Sequence, residues 1–163
     1  MKKKYWVLLL VFLGVFLLDQ WTKDMVQERL GLYQSVPVIN GFFNLVHVRN
    51  TGGAFGMFGG ERGGIGSYLF IAVSLAAVGV ILFLFFKSKD NSGLFCFSLS
   101  LILSGAIGNL VDRFRYGEVV DFLDFHLYTF HWPAFNIADS AISVGVAFMA
   151  FELLFREKKR ILR

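Results

Sequence analysis

The chain contains a single cysteine, Cys96, among its 163 residues. One thiol cannot form a disulfide within one chain, and Cys96 lies inside an apolar stretch where a small side chain packs well. We therefore interpret Cys96 as a packing residue and exclude a cysteine nucleophile.

Several common catalytic and ligand-binding motifs are also missing. The three histidines, His47, His126 and His131, form no His-Glu-x-x-His pair and have no spacing typical of a metal site. No serine stands in a Gly-x-Ser-x-Gly or Ser-x-x-Lys motif, and no P-loop ending follows the glycine-rich residues 52–66. We therefore expect no metal, no cofactor and no serine nucleophile.

Charged residues are few, at 17% of the chain, whereas 56% of the residues are hydrophobic. With a mean hydropathy of +0.61, a water-soluble globule of this length would leave too much apolar surface exposed. Four apolar stretches approach the roughly 20 residues that a helix needs to cross a bilayer. We predict an α-helical integral membrane protein with one membrane domain over residues 1–163. Its transmembrane helices are expected at about residues 5–21, 67–86, 94–111 and 134–155.

The first apolar stretch also resembles a secretory signal peptide, because Lys2, Lys3 and Lys4 precede it. However, it runs into residues 18–23, which offer no small-x-small cleavage site. We expect this segment to remain as the first helix.

Positive residues predict the orientation, because short cytoplasmic loops and tails are enriched in lysine and arginine. Such residues precede the first helix, separate the second from the third and follow the fourth. They are Lys2, Lys3, Lys4, Lys87, Lys89, Arg156, Lys158, Lys159, Arg160 and Arg163. We expect both termini in the cytoplasm and residues 24–66 and 112–133 outside it. The net charge of +4 then reflects topology and contact with anionic lipid, with no nucleic-acid partner.

The long outer segment has an internal organisation. Residues 25–30 predict a short interfacial helical continuation that ends at Gly31. Residues 36–39 and 42–48 are rich in β-branched and aromatic side chains around a turn-like Asn40-Gly41 pair, which predicts a small extracytoplasmic sheet. The glycine density of residues 52–66 indicates a mobile loop that closes over a ligand.

Unusual polar residues concentrate at the outer ends of the predicted helices. They are Asp19 and Lys23 on the first helix, Asn109, Asp112 and Arg113 on the third, Asn136 and Asp139 on the fourth, and Asp121 in the intervening loop. A membrane does not tolerate such groups without partners or a function. An aromatic cluster in that loop, Tyr128, Phe130, His131 and Trp132, is assigned to the interfacial belt.

The aspartates differ in how readily a structural role explains them. Asp139 has no lysine or arginine within four residues, so we favour a functional role. Asp121 cannot be distinguished from its neighbour Asp124 by its surroundings. Asp112 adjoins Arg113 and Arg115, which predicts an ion pair or a helix-end anchor.

Two features narrow the chemistry of this polar group. Asp19 and Lys23 are four residues apart on one helix, which predicts a salt bridge. Two carboxylates close together in a partly dry site share a proton, so that one holds it while the other activates water. Paired aspartates can therefore hydrolyse an amide without a metal or a covalent intermediate.

Five motifs, in this order along the chain, resemble those of the lipoprotein signal peptidases, also called signal peptidase II. The motifs are Asp19-Gln20-Trp21-Thr22-Lys23, Asn50-Thr51-Gly52-Gly53-Ala54-Phe55, Gly105-Ala106-Ile107-Gly108-Asn109-Leu110-Val111-Asp112-Arg113, Val119-Val120-Asp121-Phe122 and Phe135-Asn136-Ile137-Ala138-Asp139-Ser140. The resemblance covers most of the chain. One departure is Gly53, where the family more often has alanine.

The resemblance implies a bacterial inner-membrane aspartic endopeptidase. Such an enzyme cuts the signal peptide from diacylglyceryl-modified prolipoproteins just before the lipidated cysteine, and the cyclic peptide globomycin inhibits it. It implies Asp121 and Asp139 as the catalytic dyad. It also implies that substrate binding or positioning of the dyad depends on Asn50, Asn109, Arg113 and Asn136. Support of the site is assigned to Asp19 and Lys23. We expect a monomer in contact with membrane lipid.

Three alternatives remain open at this point. A small proton- or cation-coupled transporter needs charges nearer the helix centres, whereas residues 67–86 contain none. A presenilin-type protease would carry a Gly-x-Gly-Asp signature, which is absent from the sequence. A non-catalytic scaffold leaves Asp139 unexplained.

Overall fold

A computed structural model of the chain describes residues 2–52, 65–88 and 93–161. It contains helices α1 (Lys3–Arg29), α2 (Ile65–Lys87), α3 (Gly93–Tyr116) and α4 (Ile137–Ile161). Each has a stretch of at least 18 residues that is apolar enough to cross a membrane, judged by length and composition. Most of the glycine-rich segment, and with it the predicted mobile loop, lies outside the described residues.

A four-stranded antiparallel sheet stands at one end of the helices. Its strands are β1 (Ser35–Ile39), β2 (Phe43–Asn50), β3 (Val119–Leu127) and β4 (Phe130–His131), in the order β1-β2-β3-β4. The turn between β1 and β2 contains Gly41 with φ of +75°. Four apolar helices with a small sheet confirm the predicted fold class.

The predicted helical continuation over residues 25–30 is present, because α1 runs without a break to Arg29, and it forms no separate helix. Asp121 differs from its predicted loop position: it is the third residue of β3, whose backbone pairs along most of its length with β2.

The start of α4 also differs from the sequence-based estimate. It begins at Ile137, after the predicted residue 134, because the chain before it still pairs with the sheet. The backbone N–H of Phe135 donates to the carbonyl of Leu123 at 3.1 Å. This pairing places the first turn of α4 directly beside β3.

The apolar core lies between the helices. Cys96 is buried there with Ile81, Phe85, Leu99 and Leu103. Its Sγ atom lies 3.4 Å from the hydroxyl oxygen of Ser88. Cys96 is therefore a packing residue, as predicted.

Close contact between α3 and α4 depends on glycine. A Cβ atom at Gly105 would overlap the backbone carbonyl oxygen of Ala138 and lie 2.8 Å from Cγ1 of Ile142. A Cβ at Gly145 would lie 2.7 Å from Cγ1 of Ile102. Small residues let the two helix backbones approach, and this approach brings the start of α4 against α3.

Gly105→Ala is expected to destabilise the chain by about 1–3 kcal/mol, because the backbone of Ala138 must move away from the added methyl group. The matched control is Gly79→Ala on α2, where a Cβ meets nothing within 4 Å. The control should be neutral or slightly stabilising, because alanine favours a helix. Unfolding in detergent measures both variants. Equal midpoints for the two would contradict the tight packing of α3 on α4.

Candidate active site

Most of the predicted site residues are buried together at the sheet end of the helix bundle. The buried ones are Asp19, Lys23, Asn109, Asp112, Asp121 and Asn136. Asp139 and Arg113 are half-buried beside them, and Asn50 is exposed at the end of β2. The fold therefore brings residues from α1, β2, α3, β3 and α4 into one cluster.

Asp121 projects from β3 and is only 2% exposed. One of its carboxyl oxygens accepts a hydrogen bond from Nδ2 of Asn50 at 2.9 Å, and the other accepts one from Nδ2 of Asn136 at 2.7 Å. The orientation of each side-chain amide is fixed, because its oxygen accepts a backbone N–H. The Oδ1 atom of Asn50 accepts the N–H of Gly52, and the Oδ1 atom of Asn136 accepts the N–H of Asp139. Asp121 thus faces two fixed donors.

Burial raises the pKa of the Asp121 carboxyl to about 7, an effect that the two amide hydrogen bonds partly oppose. The negative charge of Asp139 raises it further. Asp121 is therefore mostly protonated below neutral pH and ionised above it.

Asp139 lies in the first turn of α4, where it also has a structural role. Its carboxylate accepts the backbone N–H of Asn136 at 3.3 Å, while the Asn136 side chain accepts the N–H of Asp139 at 2.9 Å. This reciprocal pair is a capping box at the helix start. The other carboxylate oxygen of Asp139 accepts Nδ2 of Asn109 at 2.7 Å.

The two asparagines connect the two aspartates. Nδ2 of Asn136 donates to Asp121 and approaches Oδ1 of Asn109 at 3.2 Å, and Asn109 donates in turn to Asp139. The path from carboxyl to carboxyl therefore runs Asp121, Asn136, Asn109, Asp139. This path fixes the relative positions of the two carboxyl groups, because each amide is held at both ends.

Lys23 supplies the positive charge that two buried carboxylates share behind this path. Its ammonium lies 2.8 Å from Oδ2 of Asp19 and 2.9 Å from Oδ2 of Asp112, and it donates to Oδ1 of Asn109 at 3.1 Å. The predicted salt bridge between Asp19 and Lys23 is confirmed. Because lysine can only donate, it holds the oxygen of Asn109 toward itself and leaves Nδ2 for Asp139.

Asp112 forms an ion pair, but not with the predicted partners. Its carboxylate turns toward α1 and β3, where it pairs with Lys23 and accepts the backbone N–H of Val120 at 3.1 Å. The prediction of an ion pair or a helix-end anchor therefore holds, but among the described residues the ion-pair partner is Lys23, and neither Arg113 nor Arg115 lies within ion-pair distance. Asp112 anchors the start of β3 to α3.

Gln20 belongs to this cluster although the sequence reasoning gave it no role. Its Nε2 atom donates to Oδ2 of Asp19 at 3.1 Å and to Oδ1 of Asp112 at 3.2 Å. Its position between two motif residues, Asp19 and Trp21, was the available signal. The remaining oxygen of Asp19 accepts the N–H of Ala138 at 2.9 Å, which joins α1 to the start of α4.

Arg113, on α3, extends beside Asp121 and Asp139. Its Nη1 atom donates to the carbonyl of Asn109 at 3.4 Å, and its charge attracts Asp139, Asp121 and Asp112. Its Nε atom is buried, with no hydrogen-bond partner among the residues that the structure describes. Among the described residues, this N–H of the guanidinium is therefore unpaired.

Asp124 is separated from this cluster, although it lies on the same strand. It accepts Nδ2 of Asn44 at 2.9 Å and Nδ1 of His131 at 2.8 Å. Burial alone would raise its pKa, but these hydrogen bonds and the nearby histidines hold the pKa below its usual range. Asp124 thus has a satisfied structural environment, and Asp121 is the member of this pair that lies near Asp139.

Two open cavities beside Asp121 and Asp139 share Pro133 and Ala134. One, of about 260 Å³, is lined by Asn50, Thr51 and Asp121. The other, of about 440 Å³, runs along α4 past Asp139 to Val144. Each carboxyl group therefore borders a space that a substrate can enter.

Within the parts of the chain that the structure describes, no three histidine, cysteine, aspartate or glutamate side chains converge as a metal site would require. The cluster therefore offers the Asp121 and Asp139 carboxyl groups, amide donors and a guanidinium, while Asp19 and Asp112 are paired with the Lys23 ammonium.

The fold and the site together define a multi-pass membrane protein with a carboxyl and amide network at one end of its helices. The family model described as signal peptidase (SPase) II matches residues 11–155. The chain belongs to this family.

Relatives and solved structures agree with that assignment. The lipoprotein signal peptidase of Syntrophus aciditrophicus is 46% identical over 159 residues, which cover 97% of this chain and 99% of the relative. That of Geobacter sulfurreducens is 47% identical over 163 residues, covering 98% and 99%. A solved structure described as a bacterial membrane enzyme at 2.3 Å resolution has a TM-score of 0.82 and 32% identity, covering 93% of this chain and 90% of its own.

Membership in this family makes the chain a bacterial membrane peptidase. It removes the support for the transporter, presenilin-type and scaffold alternatives.

Proposed function

We propose that the chain is an aspartic endopeptidase that removes signal peptides from diacylglyceryl-modified prolipoproteins, just before the lipidated cysteine. The observation that carries this proposal is the path of two amides that joins Asp121 to Asp139. Family membership supports the peptidase activity and the prolipoprotein substrate class.

In the proposed reaction, Asp121 holds the shared proton and Asp139 is the base. Asp139 takes a proton from water, and the resulting hydroxide attacks the scissile carbonyl carbon. Asp121 gives its proton to the carbonyl oxygen, which forms a neutral tetrahedral intermediate. Asp139 then returns its proton to the leaving amine while Asp121 recovers its own. The C–N bond breaks, and both carboxyl groups end in their starting states.

Assignment of the proton to Asp121 follows from the different burial of the two groups. Asp121 is almost fully buried and its pKa is raised to about 7, whereas Asp139 is half-buried and borders the larger cavity. A water bound in that cavity can reach Asp139.

The proposed substrate suits the position of the site. Acyl chains on the cysteine keep the scissile bond near the membrane interface, where the sheet end of the helices would lie. We propose that this end faces away from the cytoplasm in the bacterial inner membrane, with both termini in the cytoplasm. We further propose that the chain acts as a monomer and that globomycin-type peptides inhibit it.

The other polar residues have supporting roles in this proposal. Asn50 and Asn136 hold Asp121, Asn109 holds Asp139, and Arg113 offers its free donor to the substrate. Asp19 and Lys23 support the site from behind by fixing Asn109 and the start of α4.

Incubation of the purified chain with a diacylated prolipoprotein in detergent tests the proposal. A gel shift of the product, blocked by globomycin, is the expected result. Cleavage at another bond, or no cleavage of a substrate that a known lipoprotein signal peptidase processes in parallel, would reject it.

The raised pKa of Asp121 predicts an alkaline fall in activity. Because Asp121 must be protonated, kcat/KM should decrease as the pH rises through about 7. Asn50→Leu removes a hydrogen bond that favours the ionised carboxylate, so the fall should move to higher pH. A pH–rate profile measures both effects.

The matched control for this profile is Asn44→Leu. Asn44 also lies on β2 and donates to an aspartate of β3, but that aspartate is Asp124. Its profile should keep the inflection of the unmodified enzyme. A common shift in both variants, or no alkaline fall at all, contradicts the assignment of the proton to Asp121.

A further inference from the structure

The hairpin between β3 and β4 and the neighbouring β1–β2 turn carry exposed apolar side chains to which the proposed reaction assigns no chemical step. We define the hairpin patch as Leu127, Tyr128, Phe130 and Trp132 of the hairpin with Phe42 of the turn, whose exposed fractions range from 45% to 86%. Four of them, all except Tyr128, line one open cavity of about 160 Å³ and are therefore contiguous, and Tyr128 follows Leu127 directly in the chain. A contiguous apolar surface of this kind marks an interaction site.

Tyr128 occupies a backbone conformation that does not suit a tyrosine. Its φ is +52°, in the left-handed region where the Cβ atom is crowded and where glycine and asparagine are the usual residues. Its side chain is 86% exposed, so it gains little from packing within the fold. A strained and exposed aromatic residue is explained if its side chain contacts something outside the chain.

Tyr33, in the turn between α1 and β1, shows the same combination. Its φ is +64° and its side chain is 73% exposed. Tyr33 and Tyr128 are thus the only non-glycine residues with positive φ in the described part of the chain, and both are exposed tyrosines.

The hairpin patch continues onto a membrane-spanning helix. Trp132 also lines the larger cavity of about 440 Å³, together with Ser143 and Val144 of α4. Val144 is itself exposed within the apolar part of that helix. Trp132 therefore lies beside the segment that crosses the bilayer. Tyrosine and tryptophan are enriched at this level in membrane proteins, because the ring is apolar and the polar tip remains hydrated.

We propose that the hairpin patch is a lipid anchor that inserts among the phospholipids at the sheet-side interface of the membrane. The anchor is joined to both members of the dyad. Strand β3 carries Asp121, and the segment after β4 leads through Phe135, which pairs with Leu123, into the first turn of α4. Insertion of the hairpin therefore fixes the depth of the dyad relative to the lipid.

Quenching of Trp132 fluorescence tests the insertion itself. The chain has three tryptophans, so Trp6→Phe with Trp21→Phe leaves Trp132 as the single emitter. In nanodiscs that hold one chain each, phosphatidylcholine brominated in the upper acyl chain should reduce the emission by about twofold or more. Aqueous iodide should have little effect. Strong quenching by iodide with no quenching by the brominated lipid overturns the proposal. It is also overturned if the brominated lipid quenches Trp132 in nanodiscs that hold two chains but not in nanodiscs that hold one.

Tyr128→Asn separates an anchoring role from a structural one, because asparagine tolerates the left-handed backbone and removes the aromatic ring. In the single-tryptophan background, this variant should keep or raise the unfolding midpoint in detergent while lipid quenching falls by about twofold. Tyr128→Phe, which keeps the ring, should retain the quenching. A lower midpoint with unchanged quenching would identify Tyr128 as a structural residue and overturn the proposal.

An activity measurement links the anchor to the dyad, and this part alone rests on the proposed function. Cleavage by Tyr128→Asn should fall by about threefold to tenfold in nanodiscs and remain close to normal in detergent micelles, where no bilayer sets the depth. Equal activity in both media with reduced quenching would reject the control of depth. The quenching result does not depend on cleavage, so failure of the proposed function is recognised separately.

Discussion

Asp121→Asn is expected to reduce the cleavage of a diacylated prolipoprotein by at least about a thousandfold, and Asp139→Asn should do the same. An amide at either position can neither hold the shared proton nor accept one from water. The two side chains are nearly isosteric, so the helices and the sheet should remain in place. Single-turnover rates with the purified variants in detergent measure the loss.

Asp121→Asn should also lower the stability by about 1–3 kcal/mol, because its new amino group would face one of two fixed amide donors. This cost is small beside the effect on the rate. Unfolding midpoints of the same preparations distinguish a folded, inactive variant from an unfolded one.

Asp124→Asn is the matched control, since it changes the same side chain on the same strand. Asp124 accepts hydrogen bonds from Asn44 and His131 and lies away from the amide path between Asp121 and Asp139. Its variant should retain activity within about threefold. Loss of activity in Asp124→Asn together with full activity in Asp121→Asn would move the dyad to Asp124, and full activity in Asp139→Asn would reject an aspartic mechanism.

Lys23→Met is expected to destabilise the chain by about 3–5 kcal/mol, because it leaves two buried carboxylates without their cation. Methionine has a similar length, so the loss arises from charge and not from a cavity. Cleavage should fall as well, since Asn109 loses the donor that holds its oxygen away from Asp139. Denaturation in detergent gives the first effect and the rate assay gives the second.

The control for Lys23→Met also removes the two carboxylate charges that this substitution leaves without a cation. Adding Asp19→Asn and Asp112→Asn to Lys23→Met should recover much of the lost stability, because no buried charge then remains in this group. A single Lys23→Met variant with a normal unfolding midpoint would show that the ion pairs contribute nothing to the fold.

Properties that depend on neighbouring residues could be predicted from the sequence. Apolar runs of sufficient length predicted four helices, and the β-branched residues around Asn40-Gly41 predicted β1 and β2. The salt bridge of Asp19 with Lys23 followed from a spacing of four residues, which fixes two side chains on one helix face. The family resemblance also rests on local motifs, and the match over residues 11–155 bears it out.

Other features depended on how distant segments pack. Asp121 and Asp124 have similar neighbours in the sequence, but their separation by three residues places them on opposite faces of β3. Only the pairing of β3 with β2 and with Phe135 decides which face meets α4. The partner of Asp112 was likewise set by the approach of α1 to α3, which no local spacing records.

The sequence by itself thus determined the class of protein, its four helices and the set of polar residues from which a site could be made. Burial cost and periodicity act on short stretches of chain, so they can be read from residue order. The tertiary structure alone decided which of those residues meet, since strand register and helix packing bring together groups that are up to 119 residues apart, as with Asp19 and Ala138. Cys96 and Asp121 illustrate the difference. The apolar neighbours of Cys96 predicted its role, whereas the neighbours of Asp121 did not distinguish it from Asp124. The family resemblance selected Asp121, and the tertiary structure supplied Asn50 and Asn136 as its partners.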